Sequence, residues 1–377
     1  MNRKSEDNKF RSSTIADGNS LLQSWREEQH DIASHVVVPE SSATYYQAIV
    51  AQSERDAHSS SYYKEQTDKK KYLLVGGVDV SFPAEEAKDA VAVYVILQYD
   101  ISTSSNDDKG IMLSSPHQPK IVYRSHKYYK PTTPYVPSYL AFREIDPLLE
   151  LIMQQRKNKP CLSPNVIMVD GNGQWHERGA GIACFVGVKT GIPTVGVGKS
   201  FYCLDEGMTK SDIEGDVKKS VCCWYSSASA QCIESGLPLA TSDEGCRSLI
   251  VADNVDLGKS EVQHHSDTST AYEDILIKLH QNHTGLAVPM RSNVNNEDTI
   301  LAYALVGHGG NNTTNSSSKK KSDTARGSKN PIYISCGSQI SLLEAVSLVA
   351  CIAIARIPEP IREADLYGRQ LLRDGKK

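Results

Sequence analysis

No run in this 377-residue chain approaches the roughly 18 to 20 apolar residues that a membrane-spanning helix needs. The first thirty residues are polar and mixed in charge, so no signal peptide is expected. The chain reads as intracellular, in the cytoplasm or nucleus, with no membrane partner. Cysteine is unpatterned: the nine are spread as singles apart from Cys222-Cys223, with no Cys-x-x-Cys pair or matching histidine spacing for zinc. An odd count without a framework fits a reduced protein. Nor is there an excess of positive charge. With 41 Lys and Arg against 45 Asp and Glu, the net charge of -4 argues against nucleic-acid binding by bulk attraction, although it leaves room for a local basic groove. A hydrophobic fraction of 39% with 23% charged residues suits one core fold carrying polar loops.

Against this background two apolar runs stand out, Tyr72 to Phe82 and Val166 to Gly173. Each has the β-branched content and length of a buried strand, and each carries a single carboxylate with no basic residue beside it, Asp79 in the first and Asp170 in the second. Asp170-Gly171 is also ordinary turn chemistry. Asp79, in contrast, lies inside its run. A buried carboxylate costs several kcal/mol unless paired or bound to a metal, so the two together suggest a site for a hard divalent cation with oxygen ligands.

The remaining chain supplies a scaffold for that pair. Residues 1–21 are too polar to order themselves, and Leu21 to Val38 has the spacing of an amphipathic helix. Strands are expected over 90–99 and 120–129, forming an antiparallel meander with 72–82. Asp146 and Pro147 read as the N-cap and first residue of a helix, placing Glu144 on the approach to it. Residues 179–188 suit a helix packed close to a sheet and stopped at Gly191, followed by a strand over 192–197. The Gly198-Lys199-Ser200 that follows is no P-loop, since Pro193 stands where the first glycine belongs. Residues 204–299 lack clear periodicity and read as an insertion, and 307–330 are low-complexity and read as disordered. Between and after them, 300–306 and 331–335 are core strands. Ser341 to Glu344 is a capping box opening a buried helix to Arg356, and Pro360 starts a last helix that turns Asp365 inward.

In this order the chain carries Gly77-Val78-Asp79-Val80, Pro134-Tyr135-Val136-Pro137 with Phe142-Arg143-Glu144, Val169-Asp170-Gly171-Asn172-Gly173 with His176, Gly196-Val197-Gly198-Lys199, and Ile357-Pro358-Glu359-Pro360 leading to Asp365. Together these motifs resemble the endonuclease V family, nucleases that cut beside deaminated bases such as inosine. The resemblance implies an α/β, RNase H-like fold, a mixed five-stranded sheet flanked by helices. Its core would run over 22–203, 300–306 and 331–373. It implies magnesium, with manganese a plausible substitute, held by Asp79, Glu144, Asp170 and Asp365, with Lys199 near the scissile phosphate. Pro134, Tyr135, Val136 and Pro137 would form a wedge that parts the strand, and Gly171, Asn172, Gly173 and His176 would contact the flipped base or its backbone. The implied reaction is cleavage of the phosphodiester 3′ to inosine in single-stranded RNA or DNA, in repair or in turnover of edited RNA.

Three positions depart from the family pattern. Ser138 stands where a glycine is expected, and Phe185 and Ser338 where histidines are common. Low-complexity insertions are more typical of eukaryotic chains, whose members of the family favour RNA. Two other readings stay open at this point: a member that binds without turnover, and another RNase H-like enzyme such as a resolvase or transposase.

Overall fold

A computed structural model of the chain describes residues 20–39, 71–83, 89–102, 112–113, 119–202, 209–217, 248–251, 284–294, 297–306 and 330–375. The tail before residue 20 and the low-complexity segment 307–329 lie outside these residues. Among the described residues, the strands are β1 (Lys71–Ser81), β2 (Ala90–Ser102), β3 (Met112–Leu113), β4 (Lys120–Tyr129), β5 (Val166–Asp170), β6 (Thr194–Gly198), β7 (Ser248–Val251), β8 (Thr284–Val294), β9 (Glu297–Val306) and β10 (Ile332–Ser338). The helices are α1 (20–35), α2 (Ala141–Asn158), α3 (Ile182–Thr190), α4 (210–217), α5 (Leu342–Ile352) and α6 (Glu359–Asp374). No helix among them is long and apolar enough to cross a membrane.

All ten strands join one mixed sheet, in the order β3-β2-β1-β5-β6-β10-β9-β8-β7 with β4 also paired to β2. The expected five-stranded unit is present as β4-β2-β1-β5-β6: the first three antiparallel, then β1, β5 and β6 parallel. Those parallel strands need crossovers, and α2 and α3 provide them. β1 reads as a continuous apolar run because both of its faces are covered. Leu73 and Val75 join the core under α5 and α6, whereas Leu74 and Val78 join the core under α2 and α3.

The sheet is wider than the sequence suggested, and apart from the two-residue β3 the difference lies in residues 204–299. Within that stretch α4, β7 and β8 are built into the fold. Leu286, Val288 and Met290 of β8 alternate toward a third core that holds Ile213 and Val217 of α4 and Trp175. The alternation is short and interrupted by Pro289, which hides it in the sequence.

A second correction concerns α2. It starts at Ala141 and not at Pro147, so Glu144 sits in its first turn and Pro147 inside the helix. Proline cannot donate to the carbonyl four residues back. That carbonyl, of Arg143, is instead taken by the Tyr129 hydroxyl at 3.2 Å. The capping box of Ser341 and Glu344 is formed as expected, but α5 ends at Ile352, leaving Arg356 free of the helix to bond the Pro331 carbonyl at 2.9 Å.

The final helix approaches the sheet at a glycine. A Cβ on Gly77 of β1 would lie 2.1 Å from the Pro360 carbonyl oxygen, so the N-terminus of α6 rests on bare backbone. Gly77→Ala is therefore expected to destabilise the fold by about 1 to 3 kcal/mol, the usual range for overpacking. Denaturant unfolding measures it; an unchanged midpoint would show that α6 does not need this close approach.

Candidate active site

The carboxyl ends of the parallel strands β1, β5 and β6 open on a cleft of about 920 Å³, the place where open α/β sheets commonly bind ligands. Asp79, Glu144, Asp170 and Lys199 line it together. The parallel registers bring this about. Val78 lies opposite Val169 on the neighbouring strand and Asp170 opposite Val197 on the next, so residues distant in sequence finish at one level. Gly171, with φ at +147°, then turns the chain where a Cβ would strike Ile182 at 2.6 Å. The turn is locked beyond it: Ser335 Oγ accepts from the Gly173 amide at 2.8 Å, and the Gly173 carbonyl accepts from Gly181 at 2.9 Å.

Electrostatics in the cleft are dominated by crowded carboxylates. Asp79 is 7% exposed and accepts from Ser81 Oγ at 3.3 Å. Burial first, then a hydrogen bond to and the charge of Asp170, raise its pKa well above the ordinary carboxylate value. Glu144, also 7% exposed, is lifted to about 8 by burial and by the Asp170 charge, with Arg143 pulling the other way. Lys199 Nζ is in direct contact with Asp170 Oδ2. Burial works against its charge, but Asp170, Asp79 and Asp365 outweigh that and raise its pKa, so it stays an ammonium.

Asp365 stands apart from this group. Its field reaches Asp79 and Lys199, yet it does not line the cleft, and its two oxygens are each held at 2.9 Å by Arg369 one turn on. Among the described residues no three His, Cys, Asp or Glu side chains form a ready ligand shell. The chemistry of the donors nevertheless suits a hard cation. The buried Asp79 and the half-buried Asp170, in hydrogen-bond contact and both oxygen donors, are under-neutralised by one lysine, and added positive charge would relieve them.

At the other wall of the cleft is the proline-stiffened turn. Tyr135 is 65% exposed and Pro134 and Pro137 are exposed with it, so the ring is not packed on the core. The base of the turn, by contrast, is held tightly. The Ser138 carbonyl accepts from Gln29 Nε2 at 3.1 Å, His176 Nε2 at 3.0 Å and Arg178 Nη2 at 2.7 Å. His176 Nδ1 in turn accepts from the Arg178 amide at 3.3 Å, so both ring nitrogens are occupied and the ring is neutral. Its pKa is lowered to about 4, chiefly by burial and then by the Arg178 charge. His176 therefore holds the turn through Nε2 and its own loop through Nδ1, while Asn172 remains a cleft-lining polar side chain.

The three departures from the family pattern each have a local reason. Phe185 meets Phe142 edge to face at 5.3 Å, extending a stack in which Trp25 lies on Phe142 at 5.1 Å. Ser338 Oγ accepts from the Val37 amide at 3.3 Å and so ties down the end of the α1 segment. Ser138 bonds Tyr202 through its hydroxyl. Phe82 and Tyr202 line the cleft and Arg178 braces it without a signal in the sequence. Two further lining residues had one: Gln29, a polar residue four places after Trp25 on the apolar face of α1, and Arg143, within Phe142-Arg143-Glu144. Arg143 lies 4.7 Å above the Phe82 ring at the cleft mouth, a pairing that only the fold creates.

Comparison with known proteins places this arrangement. A profile of the Endonuclease V family matches residues 57–235 and 309–366, more than half of the chain. Human Endonuclease V is 29% identical over 352 residues, which cover 93% of this chain and 83% of the human protein. The crystal structure of human ENDOV superposes with a TM-score of 0.56 at 25% identity, covering 94% of this chain and all of that one. Endonuclease V of Ciona intestinalis, crystallised with a 24mer DNA containing an inosine followed by a ribo-adenosine, shares the fold at a TM-score of 0.56 and 22% identity, covering 94% of this chain and 99% of its own.

The raised carboxyl pKa values have a consequence for stability. Glu144 in the folded chain keeps its proton up to about pH 8, whereas in the unfolded chain it loses it near its ordinary value of 4.5. The folded state thus binds the extra proton between those values, and stability falls as pH rises through that window. Glu144→Gln, which mimics the protonated form, is expected to raise the melting temperature in metal-free buffer at about pH 8 and to change it little at about pH 5. A variant no more stable than the parent at the higher pH would show that Glu144 is not held protonated.

Proposed function

Because the chain belongs to the endonuclease V family of nucleases, we propose that it is a metal-dependent endonuclease that hydrolyses the phosphodiester 3′ to inosine in single-stranded RNA or DNA. The observation that carries this reading is one cleft holding the buried Asp79 in contact with the half-buried Asp170, a lysine ammonium and an exposed tyrosine on a rigid turn. The family is metal-dependent in general, and magnesium, with manganese as a substitute, suits the oxygen donors of Asp79 and Asp170, flanked by Glu144 and Asp365. A bound divalent ion would supply Lewis-acid charge and a water of lowered pKa for in-line attack at phosphorus. Lys199, kept protonated by the carboxylates around it, faces the negative charge that develops on the phosphate. Tyr135 takes the place of a displaced stacking partner where the base leaves the strand, at little cost when that strand is already single.

RNA is the favoured substrate. The Ciona intestinalis enzyme was crystallised on a strand with a ribonucleotide following the inosine, and Asn172 at the cleft wall could read a 2′-hydroxyl there. Such a role suits turnover of edited RNA in the cytoplasm or nucleus.

Three measurements test the proposal. Asp79→Asn and Asp170→Asn should each lower magnesium-supported cleavage on the order of a hundredfold or more while an inosine strand still binds in calcium. Near-parental turnover in either removes the carboxylates from the reaction. Tyr135→Ala should weaken strand binding about ten- to a hundredfold, the worth of one base stack, without lowering the melting temperature; the reverse pattern would make the ring a packing residue. Finally, a deoxy strand with one ribonucleotide moved stepwise past the inosine should be cut best with the ribose immediately 3′ to it. Equal rates at every position, and on all-DNA, would remove the RNA preference and leave the nuclease standing.

A further inference from the structure

Only Ser200 and Phe201 separate Lys199 from Tyr202, and this short strap is fixed along its length by side chains. The Lys199 carbonyl accepts from Arg356 Nη2, which also bonds the Pro331 carbonyl at 2.9 Å. The Phe201 ring lies 5.6 Å from Tyr333 and 6.3 Å from Trp175, and Trp175 Nε1 donates to the Tyr202 carbonyl at 2.9 Å. A backbone so held makes Tyr202 a firm post. Its ring lies parallel to that of His176, 5.4 Å between centroids and 6° between planes, and its hydroxyl is 2.5 Å from Ser138 Oγ.

Ser138 is the residue that needs a post. Its φ of +68° is left-handed, a conformation that costs a residue with a side chain about 1 to 2 kcal/mol and that glycine adopts freely. Such a conformation persists only where its surroundings over-determine it. Three donors fix the Ser138 carbonyl from the α1 and His176 side, and Tyr202 alone among the described contacts reaches its side chain from the strap. The serine has thus replaced conformational freedom with a cross-link that a glycine could not make.

The geometry points to Tyr202 as a positioning residue of the cleavage site. Its hydroxyl pins Ser138, and so ties the turn that presents Tyr135 to the strap that presents Lys199. Wedge and lysine then move as one body, and the spacing between the displaced base and the phosphate to be cut is set by this bond. The inference rests on the proposed cleavage reaction and adds to it a residue outside the carboxylate and wedge motifs.

The test uses the full chain with Tyr202→Phe, Ser138→Ala and the pair together. Tyr202→Phe keeps the ring and loses only the hydroxyl. One hydrogen bond of this kind corresponds to about a three- to tenfold change, so KM for a single-stranded inosine RNA should rise by that factor in each single variant with kcat nearly unchanged. The double variant should be no worse than either single one, since both remove the same bond. Amide exchange at residues 138–140 should also quicken in Tyr202→Phe, measured without nucleic acid. Unchanged exchange there, additive KM effects in the double variant, or a lower melting temperature with KM unmoved would each overturn the pin. An unmodified chain that does not cut inosine strands at all would instead overturn the proposed function, and the exchange measurement would still decide whether Tyr202 holds the turn.

Discussion

The contact between Asp79 and Asp170 is the constraint around which the molecule is arranged. Two carboxylates side by side at the ends of adjacent buried strands repel, and burial deprives Asp79 of the water that would stabilise its charge. Nothing in the strands themselves neutralises them. The fold brings a lysine from the next strand end into contact with Asp170, and this single ammonium also faces the more distant Asp365. The result is a pocket short of positive charge. Breaking such a partly compensated cluster by removing its cation would leave buried charges unpaired, the costly case for buried ion pairs. A proton answers that shortage, and the cation of the proposed reaction would answer it too, which would link metal binding, pH and folding at one place.

A second requirement follows from the first. The proposed chemistry at the carboxylates would need a nucleic-acid strand held beside them, and the exposed Tyr135 could hold one only if the base of its turn does not move. The chain meets this by anchoring the turn from outside the sheet. Arg178 bonds Gln29 of α1 at 2.5 Å and the Ser138 carbonyl at 2.7 Å, and its guanidinium lies 4.1 Å above the Tyr139 ring. Trp25, Phe142 and Phe185 stack behind it. The helix α1, which by its pattern is a packing element, thus has its main consequence at the cleft. Phe185 and Ser138 belong to this anchoring: where a histidine and a glycine are expected in the family, the chain has a ring that completes a stack and a hydroxyl that completes a bond.

The widened sheet serves a similar end at longer range. β10 closes the turn after Asp170 by accepting from the Gly173 amide through Ser335 and from the Gln174 amide through the Cys336 carbonyl at 2.7 Å. β8 and β9 share with α4 the core in which Trp175 is buried, and Trp175 holds the strap that leads from Lys199. Residues that look peripheral in the sequence are therefore two contacts away from Lys199.

The sequence by itself determined the strands β1, β2, β5 and β6, because strands covered on both faces are apolar throughout, and it showed β4 as a β-branched and aromatic run whose positions the fold leaves half-buried or exposed. Asp79 and Asp170 stood out as charges inside such runs, which are costly to bury, whereas Glu144, Asp365 and Lys199 joined them through the resemblance of their motifs to the endonuclease V family. The boundaries of α2 were decided by a tertiary contact, the Tyr129 hydroxyl that satisfies the carbonyl Pro147 leaves open. β8 and α4 were decided the same way, their weak local patterns completed by a shared core. Only the fold separated Asp365, bound to Arg369, from the acids that line the cleft. Only the fold, too, paired Ser138 with Tyr202, 64 residues apart, and Gln29 with Arg178, 149 apart. Periodicity reports which way a side chain faces relative to its own backbone; which partner it meets depends on where distant backbones pass, and that is fixed by sheet register and helix packing rather than by any local pattern.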